Sequence, residues 1–389
     1  MDPDFIRDPY PTYHALRAED PVHESPLGFW VLTRYEDVVA ALRDPRLAKE
    51  AINAIVAARI GATPTPVASL SMLDRDPPDH TRLRSLVNKA FTPRVVETLR
   101  PRIQVVVDEL IDRARDAGAM DLIEEFAYPI PVIVICEMLG VPVEDHERFK
   151  GWGVDLARGL DSILLPPESD VMKRSFAARQ SLAQYFRELI AERRKAPRGD
   201  LLSALIAAEE SGDTLTEEEL LATCVLLLIA GHETTVNLIG NGTLALLRHP
   251  DQLRRLRENP ALIVSAVEEL LRFDGPVQRT ARVPNADLTI GGKKIPAGSM
   301  VMPFIAAADR DPAQFPHPDR LDLGRADNRH IAFGWGIHFC LGAPLARVEA
   351  QIAINTLLKR CPKLALATDA PEYRLSLTLR GLTHLPVAF

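Results

Sequence analysis

The sequence Phe-Gly-Trp-Gly-Ile-His-Phe-Cys-Leu-Gly occupies residues 333–342 and leads into an apolar helical pattern that begins near Pro344. Its cysteine, Cys340, stands just before the predicted helix N-terminus, where free backbone N–H groups and the helix dipole favour the thiolate, the form that ligates metals. The glycines let the backbone approach something flat and bulky. The stretch predicts either a metal-ligating thiolate or, as for any lone cysteine, a buried residue in a glycine-rich turn.

Every fixed position of the pattern Phe-Gly-x-Gly-x-[His or Arg]-x-Cys-x-Gly is matched, and the segment resembles the heme-binding loop of the cytochrome P450 family. The resemblance implies heme b as cofactor, with Cys340 as the axial thiolate of its iron and Gly342 as the last residue of the cofactor-binding motif. It also implies that Phe333 packs against the cysteine side of the porphyrin and that His338 hydrogen-bonds a heme propionate. The remaining cysteines are predicted to be small buried hydrophobes: Cys136, Cys224 and Cys361.

A long central helix is predicted upstream of this loop. Thr-Glu-Glu-Glu at 216–219 is a capping box, and the helix that it opens extends to about Arg248, roughly 50 Å at 1.5 Å per residue. Midway lies Ala-Gly-His-Glu-Thr-Thr at 230–235, which by itself could be a polar patch contacting a loop. By resemblance, Thr234 would hydrogen-bond bound dioxygen and Glu233 would supply protons, whereas His232 occupies a variable position and receives no role.

Charged residues at family positions complete the predicted heme surroundings. Buried propionates need cationic partners, and arginine suits them through its planar fork. His80 and Arg84 match the propionate-binding His-x-x-x-Arg of bacterial members, and Arg282 matches a further propionate position, although each alone could be an ordinary solvated residue. Each is therefore predicted to bind a propionate.

A second pattern, Glu-x-x-Arg, is formed by Glu269 and Arg272, three residues apart on one predicted helical face. Taken alone it is an exposed pair, with Glu268 an equally good partner for Arg272. By resemblance it is a buried structural pair that braces the cysteine loop, with Arg320 from the proline-rich segment as third member.

The composition and the N-terminal sequence limit the classes of protein to which the chain can belong. The 389 residues are 47% hydrophobic and 25% charged with a net charge of −7, which argues against nucleic-acid binding. The N-terminus lacks the basic start and apolar core of a signal peptide, and scattered cysteines fit a reducing compartment. The apolar run from Leu220 is interrupted by His232, Glu233 and Asn237, so we expect a buried helix, no membrane anchor, and a cytoplasmic monomer forming a single domain over 1–389.

The fold class expected is mainly α with a smaller β region. Helical periodicity runs from about Asp79 to Leu271, whereas strand signals occur near 29–32, over 283–304 and over 374–387, where Leu375, Leu377 and Leu379 alternate. The resemblance implies the P450 fold, a helical prism with heme between the long central helix and the cysteine-loop helix.

The function implied is a heme-thiolate monooxygenase that inserts one atom of O2 into a medium or large lipophilic substrate and releases the other as water. Two electrons and two protons are consumed, the electrons coming from NAD(P)H through ferredoxin reductase and ferredoxin. Two alternatives stay open, a hydrogen-peroxide-dependent peroxygenase and a non-catalytic heme-thiolate sensor or carrier. Glu233 and Thr234 argue against both.

Family analogy also suggests the substrate pocket, and the positions of three basic residues suggest a docking surface. The pocket would include parts of 60–73, 157–176 and 379–382 together with single residues: Leu226, Ile229, Ala230, Val277, Gln278, Arg279 and Leu379. Lys89, Arg94 and Arg347 are predicted to form a basic patch for an acidic ferredoxin.

Overall fold

The computed structural model describes residues 2–60, 70–161, 169–210 and 215–389. The chain groups into two compact units. The first is built from Met1–Leu47, Val96–Ile130 and Thr234–Phe389, and the second from Ala48–Val95 and Pro131–Glu233. That residues 1–389 form a single domain remains a prediction.

Helices dominate the described chain, as expected from the periodicity. They are α1 Pro3–Arg7, α2 Tyr10–Glu19, α3 Tyr35–Arg43, α4 Ala51–Ile60, α5 Asp79–Asn88, α6 Pro93–Arg115, α7 Pro129–Leu139, α8 His146–Gly159, α9 Asp170–Lys195, α10 Leu201–Glu210, α11 Glu217–Arg248, α12 Pro250–Glu258, α13 Ile263–Asp274, α14 Ile305–Ala308 and α15 Ala343–Arg360. The strands are short: β1 Val22–Glu24, β2 Phe29–Leu32, β3 Leu47–Ala48, β4 Ala119–Asp121, β5 Val283–Pro284, β6 Leu288–Ile290, β7 Lys293–Ile295, β8 Met300–Pro303, β9 Ala365–Leu366, β10 Glu372–Tyr373, β11 Leu382–His384 and β12 Pro386–Ala388.

One three-stranded sheet of the first unit has the order β1-β2-β8, with β2 antiparallel to β1 and parallel to β8. Every residue of β2 and β8 is buried, which explains why the sequences of both strands are continuously apolar. Trp30, Val301 and Ile305 belong to the core beneath this sheet, and the same core includes Ile331, two residues before the cysteine loop. The sheet core therefore anchors the start of that loop.

In the second unit, α8 and α9 pack against each other through an aromatic cluster of Phe149, Trp152 and Tyr185. Arg193 of α9 is fully buried, donating to Asp200 Oδ2 at 3.1 Å and to the Gly140 carbonyl at 2.5 Å. Because a buried guanidinium needs such acceptors, Arg193 ties the end of α9 to both neighbouring turns.

Two strand expectations need correction. Leu375 and Leu377 do not lie in a strand, because the Ser376 hydroxyl accepts the backbone N–H of Thr378 at 3.3 Å and folds the segment into a turn. Strand β4, within the segment expected to be helical, pairs with β12 more than 260 residues later. A three-residue strand whose partner is so distant leaves no usable local signal.

Helix α11 is, among the described residues, the one helix long and apolar enough to cross a membrane by length and composition. Of its most apolar stretch, 72% is buried inside the protein. This burial supports the interpretation of α11 as a core helix.

Candidate active site

The cysteine loop takes a turn that only glycine adopts readily. Gly334 and Gly336 have φ of +74° and +75°, and a Cβ on Gly336 would lie 2.5 Å from the Leu42 carbonyl oxygen. The Cys340 N–H donates to the Phe333 carbonyl at 2.9 Å, closing the loop, and α15 begins three residues after the cysteine. The predicted position of Cys340 ahead of a helix N-terminus is confirmed.

Cys340 differs from the other three cysteines in its surroundings. Cys136, Cys224 and Cys361 are buried, as predicted, whereas Cys340 is partly exposed. Burial raises the pKa of the Cys136 and Cys224 thiols to about 12, which keeps them protonated and inert. Of the four cysteines, Cys340 is thus the one whose position suits a reactive or ligating thiolate.

The surroundings of Cys340 also fit a flat apolar group. Trp335, Ile337 and Phe339 expose 38%, 53% and 38% of their surface. A Cβ placed on Gly342 would meet no atom within 4 Å. Several exposed large apolar side chains in one short loop mark a binding surface. The loop therefore fits the heme that its sequence implies.

Arg282 and His338 lie in the same unit as Cys340. Arg282 is 3% exposed; its guanidinium donates to the Ala281 carbonyl at 2.7 Å and to the Thr280 hydroxyl at 3.2 Å. Its backbone is bridged to Val301 of β8, so the sheet fixes where this cation stands. His338 ends the single 3₁₀ turn of the cysteine loop and is partly buried.

His80 and Arg84 lie one turn apart on α5, in the second unit. His80 is 3% exposed, and its pKa lies below the ordinary value because burial and the nearby Arg84 charge both disfavour the imidazolium. Arg84 is partly buried, and its Nε donates to Asn88 at 3.2 Å. The helix thus presents a neutral imidazole and a cation one turn apart, a pair able to bind a carboxylate.

Helix α11 begins at the predicted capping box. The Thr216 N–H donates to Glu219 at 2.9 Å and the Glu219 N–H donates to the Thr216 hydroxyl at 3.2 Å. Along this otherwise buried helix, the less buried residues include Leu226, Ala230 and Thr234, which follow one another at intervals of four. They share one face, so α11 presents an incompletely buried apolar stripe that carries the Thr234 hydroxyl.

Glu233 is 2% exposed and has a buried histidine beside it. His232 Nδ1 lies 2.6 Å from the Leu228 carbonyl, so Nδ1 carries a proton, and Nε2 faces Glu233 Oε1 at 3.7 Å. A Cβ on Gly153 would lie 2.5 Å from His232 Nε2, so only glycine leaves room for the imidazole. Sequence analysis assigned no role to His232. A histidine within a buried helix needs hydrogen-bond partners inside the protein, and this was the signal that could have identified it.

Glu349 is a second residue that sequence analysis missed. It lies on α15, nine residues after Cys340, and is 1% exposed. Burial raises its pKa to about 8, and the Thr235 hydroxyl acts in the opposite direction. Glu349 is therefore a neutral acid over most of the physiological range.

The predicted pocket residues of the first unit are strand and turn residues. Val277 and Leu379 are paired through an isolated β-bridge. The Gln278 amide is engaged within the protein, donating to the Gly275 carbonyl at 2.9 Å and accepting from Tyr13 at 3.2 Å. Arg279 is 6% exposed and donates to the Met302 sulfur. Of the predicted pocket segments, residues 61–69 and 162–168 lie outside the described residues.

The Glu269–Arg272 pair is buried, as predicted, with Nε–Oε2 and Nη2–Oε1 distances of 2.8 Å. Its third member was predicted wrongly. Arg325 Nε lies 3.0 Å from Glu269 Oε2, whereas Arg320 is exposed and contributes its carbonyl oxygen to Arg272 at 3.3 Å. The polypeptide turns between these two arginines, and that turn directs the later side chain inward.

Arg347 also differs from expectation. Its guanidinium donates to both carboxylate oxygens of Glu268, at 2.7 and 2.8 Å, and lies over the Phe333 ring. Lys89 and Arg94, the other predicted members of the basic patch, are exposed residues of the second unit. An arginine already held by a bidentate ion pair is poorly suited to receive a partner protein's carboxylates.

Comparison with known proteins supports these observations. The cytochrome P450 family model matches residues 23–378. The vitamin D(3) 25-hydroxylase of Pseudonocardia autotrophica is 49% identical over 393 residues, 98% of this chain and 94% of that protein. Myxobacterial CYP267B1, solved with myristic acid, has a TM-score of 0.93 and 46% identity, covering 100% of this chain and 98% of that one.

A further solved structure, P450BioI with an acyl carrier protein ligated to hexadec-9Z-enoic acid, has a TM-score of 0.91 and 42% identity, with both chains covered completely. These likenesses confirm the predicted fold class. The chain belongs to the cytochrome P450 family of heme b-binding monooxygenases.

Proposed function

We propose that Cys340 is the axial thiolate of heme b and that Glu233 and Thr234 serve the activation of O2 on a lipophilic organic substrate. The observation that carries the proposal is the partly exposed Cys340 thiol, grouped with exposed apolar side chains ahead of a helix N-terminus. Backbone N–H groups and the dipole of α15 favour its thiolate form.

The reduced protein with carbon monoxide tests this assignment. We expect the strongly red-shifted Soret band of a thiolate-ligated heme, and Cys340→Ala should abolish it. Cys361→Ala, which removes a buried cysteine at the other end of the same helix, is the matched control and should keep the band. A wild-type spectrum typical of histidine ligation would contradict the proposal.

Heme b, when bound, supplies the iron at which O2 is reduced and split. In this proposal His80, Arg84, Arg282 and His338 hold its propionates through charge-assisted hydrogen bonds. Phe333 covers the cysteine side. These residues bind and orient the cofactor, whose apolar faces match the exposed aromatic and aliphatic side chains of the loop.

Glu233 and Thr234 have distinct tasks. Thr234 offers a hydroxyl on the less buried stripe of α11, whereas Glu233, buried next to it, offers a carboxyl group through which protons can be passed on. Removing the Thr234 hydroxyl should leave heme binding and electron uptake intact and misdirect the reduced oxygen. Thr234→Ala should therefore consume NAD(P)H while releasing hydrogen peroxide in place of product.

Thr235→Ala is the control for this experiment, since Thr235 is buried and points about 100° away around the helix. Glu233→Gln should slow turnover by about 10² to 10⁴-fold, the usual size of a general-acid effect. Peroxide yield per NAD(P)H consumed distinguishes the variants. Full coupling in Thr234→Ala would contradict the assigned role.

A medium or large lipophile is the proposed substrate class. Leu226, Ile229 and Ala230 are among the less buried apolar residues of α11. The named relatives add support, since one is a vitamin D(3) hydroxylase and another was solved with myristic acid. Titrating fatty acids and sterols while recording the heme spin state would test this, because a lipophile that displaces water shifts the spectrum and a polar analogue does not.

We further infer that electrons come from NAD(P)H through a ferredoxin reductase and a ferredoxin, and that the protein acts as a cytoplasmic monomer. The scattered cysteines support an intracellular site. Product formation with surrogate ferredoxin partners, compared with product formation from hydrogen peroxide alone, separates the monooxygenase from a peroxygenase.

A further inference from the structure

Four residues around the cysteine loop, Glu268, His330, Phe333 and Arg347, form what we term the Glu268 cluster. Glu268 of α13 accepts two hydrogen bonds from Arg347 of α15, at 2.7 and 2.8 Å, and one from His330 at 3.0 Å. Burial acts to raise the pKa of Glu268, but His330 and Arg347 outweigh it and lower that pKa to about 2. Glu268 is thus an anion at any working pH.

His330 is held by two contacts. The Ala332 N–H points at Nδ1 at 3.3 Å, so Nδ1 is an acceptor and Nε2 carries the proton donated to Glu268. The side chain of His330 is 4% exposed. Both ring nitrogens of His330 are thus engaged within the cluster, and the carboxylate of Glu268 is paired with one guanidinium, that of Arg347.

Phe333 connects this ion pair to the cysteine. The Arg347 guanidinium lies 4.5 Å from the centroid of the Phe333 ring, and the His330 ring centroid lies 6.2 Å from it. The Phe333 carbonyl accepts the N–H of Cys340 at 2.9 Å. The ring of Phe333 is therefore held by the ion pair and its backbone by the cysteine it precedes.

We propose that the Glu268 cluster is a positioning device that fixes Phe333 at the start of the cysteine loop and holds the Glu268–Arg347 ion pair over its ring, thereby setting the reduction potential of the iron. The inference rests on the proposed ligation by Cys340. Arg347 and Glu268 act through Phe333 and through their charges. Reduction adds one negative charge to the site, so each member of the pair shifts the equilibrium in a definite direction.

The test is a double-mutant cycle read by spectroelectrochemistry on the heme-loaded protein. Arg347→Met leaves the Glu268 anion unbalanced, so the midpoint potential should fall and the ferrous-to-ferric ratio at the wild-type midpoint should drop several-fold. Glu268→Gln leaves the Arg347 cation unbalanced and should raise the potential. The double variant removes both charges of the pair and should lie between the two single variants.

Arg360→Met is the matched control. Arg360 is on the same helix and is also ion-paired, with Asp108, but lies 13 residues beyond Arg347, about 20 Å along the axis. Its midpoint potential should equal that of the wild type. Should Arg347→Met fail to fold, Glu268→Gln must still raise the potential, and Arg347→Gln, which also removes the cation but keeps a polar side chain, replaces Arg347→Met in the cycle.

Unchanged potentials in both single variants would overturn the proposal. So would an Arg347→Met variant with wild-type potential that is reduced more slowly by ferredoxin, since that result assigns Arg347 to docking. Failure of the underlying ligation is distinguishable, because it removes the thiolate-type carbon monoxide band from the wild-type protein itself.

Discussion

Glu269 on α13 and Glu349 on α15 belong to the same unit and are equally buried, with 0% and 1% exposure. Glu269 is surrounded by donors: the guanidinium groups of Arg272 and Arg325 and the backbone N–H of Asp322 at 3.0 Å. Glu349 has the Thr235 hydroxyl beside it, and burial raises its pKa to about 8. Equal burial therefore yields an ion-pair anchor at one position and a neutral acid at the other.

The difference shows what a buried carboxyl needs. Desolvation penalises the charged form at both sites, and only cations or several hydrogen-bond donors offset that penalty. Glu269 has both kinds of partner within the proline-rich segment that precedes the cysteine loop. It can therefore brace that segment as an ion, whereas Glu349 is accommodated by staying protonated.

The largest expected effect comes from removing a cation from Glu269. Arg272→Ala leaves buried charge without its main partner, and breaking a buried ion pair in this way costs about 3–5 kcal/mol of unfolding free energy. Urea unfolding measures it. Arg255→Ala, which breaks the exposed pair with Asp322, is the control and should cost about 1 kcal/mol or less. Equal losses in the two variants would contradict the comparison.

The next effect concerns Glu349 and pH. Its folded-state pKa is raised from 4.5 to about 8, so the unfolded chain loses this proton first and stability falls as pH rises from about 4.5 to 8. Glu349→Gln removes that fall, making the variant more stable than the wild type by about 3–4 kcal/mol at pH 8 and nearly equal to it at pH 5.

Urea unfolding at several pH values checks this prediction, with the exposed Glu372→Gln as control. Asp309, whose pKa burial raises to about 7, adds a fall of the same sign that persists in the Glu349 variant. A variant whose stability depends on pH as steeply as that of the wild type would show that Glu349 is ionised in the folded protein.

The smallest effect compares Arg325 with Arg320. Arg325→Gln removes a largely buried partner of Glu269 and should cost about 1–2 kcal/mol, because Arg272 still neutralises the carboxylate. Arg320→Gln should stay within about 0.5 kcal/mol, since its side chain is exposed and its carbonyl contact survives. Chemical unfolding measures the loss of unfolding free energy in both variants. A larger loss in Arg320→Gln than in Arg325→Gln would restore Arg320 as the third member of the Glu269–Arg272 cluster.

Much of the site was predictable from the sequence. The cysteine loop, the capping box of α11 and the Glu269–Arg272 pair are short patterns whose residues lie within one or two turns of each other. Their geometry follows from positive φ at glycines, from capping hydrogen bonds and from helical spacing. Such features depend on the local backbone, which the residues themselves specify.

Other features were decided only by tertiary structure. Arg325 in place of Arg320, the capture of Arg347 by Glu268 and the pairing of β4 with β12 each join elements that are distant in sequence. Arg320 and Arg325 are the same residue type, as are Glu268 and Glu269, so the sequence alone does not distinguish the members of either pair. Which guanidinium meets which carboxylate, and whether a buried glutamate is charged or neutral, depends on how packing orients side chains and excludes water around them, and no local pattern encodes that.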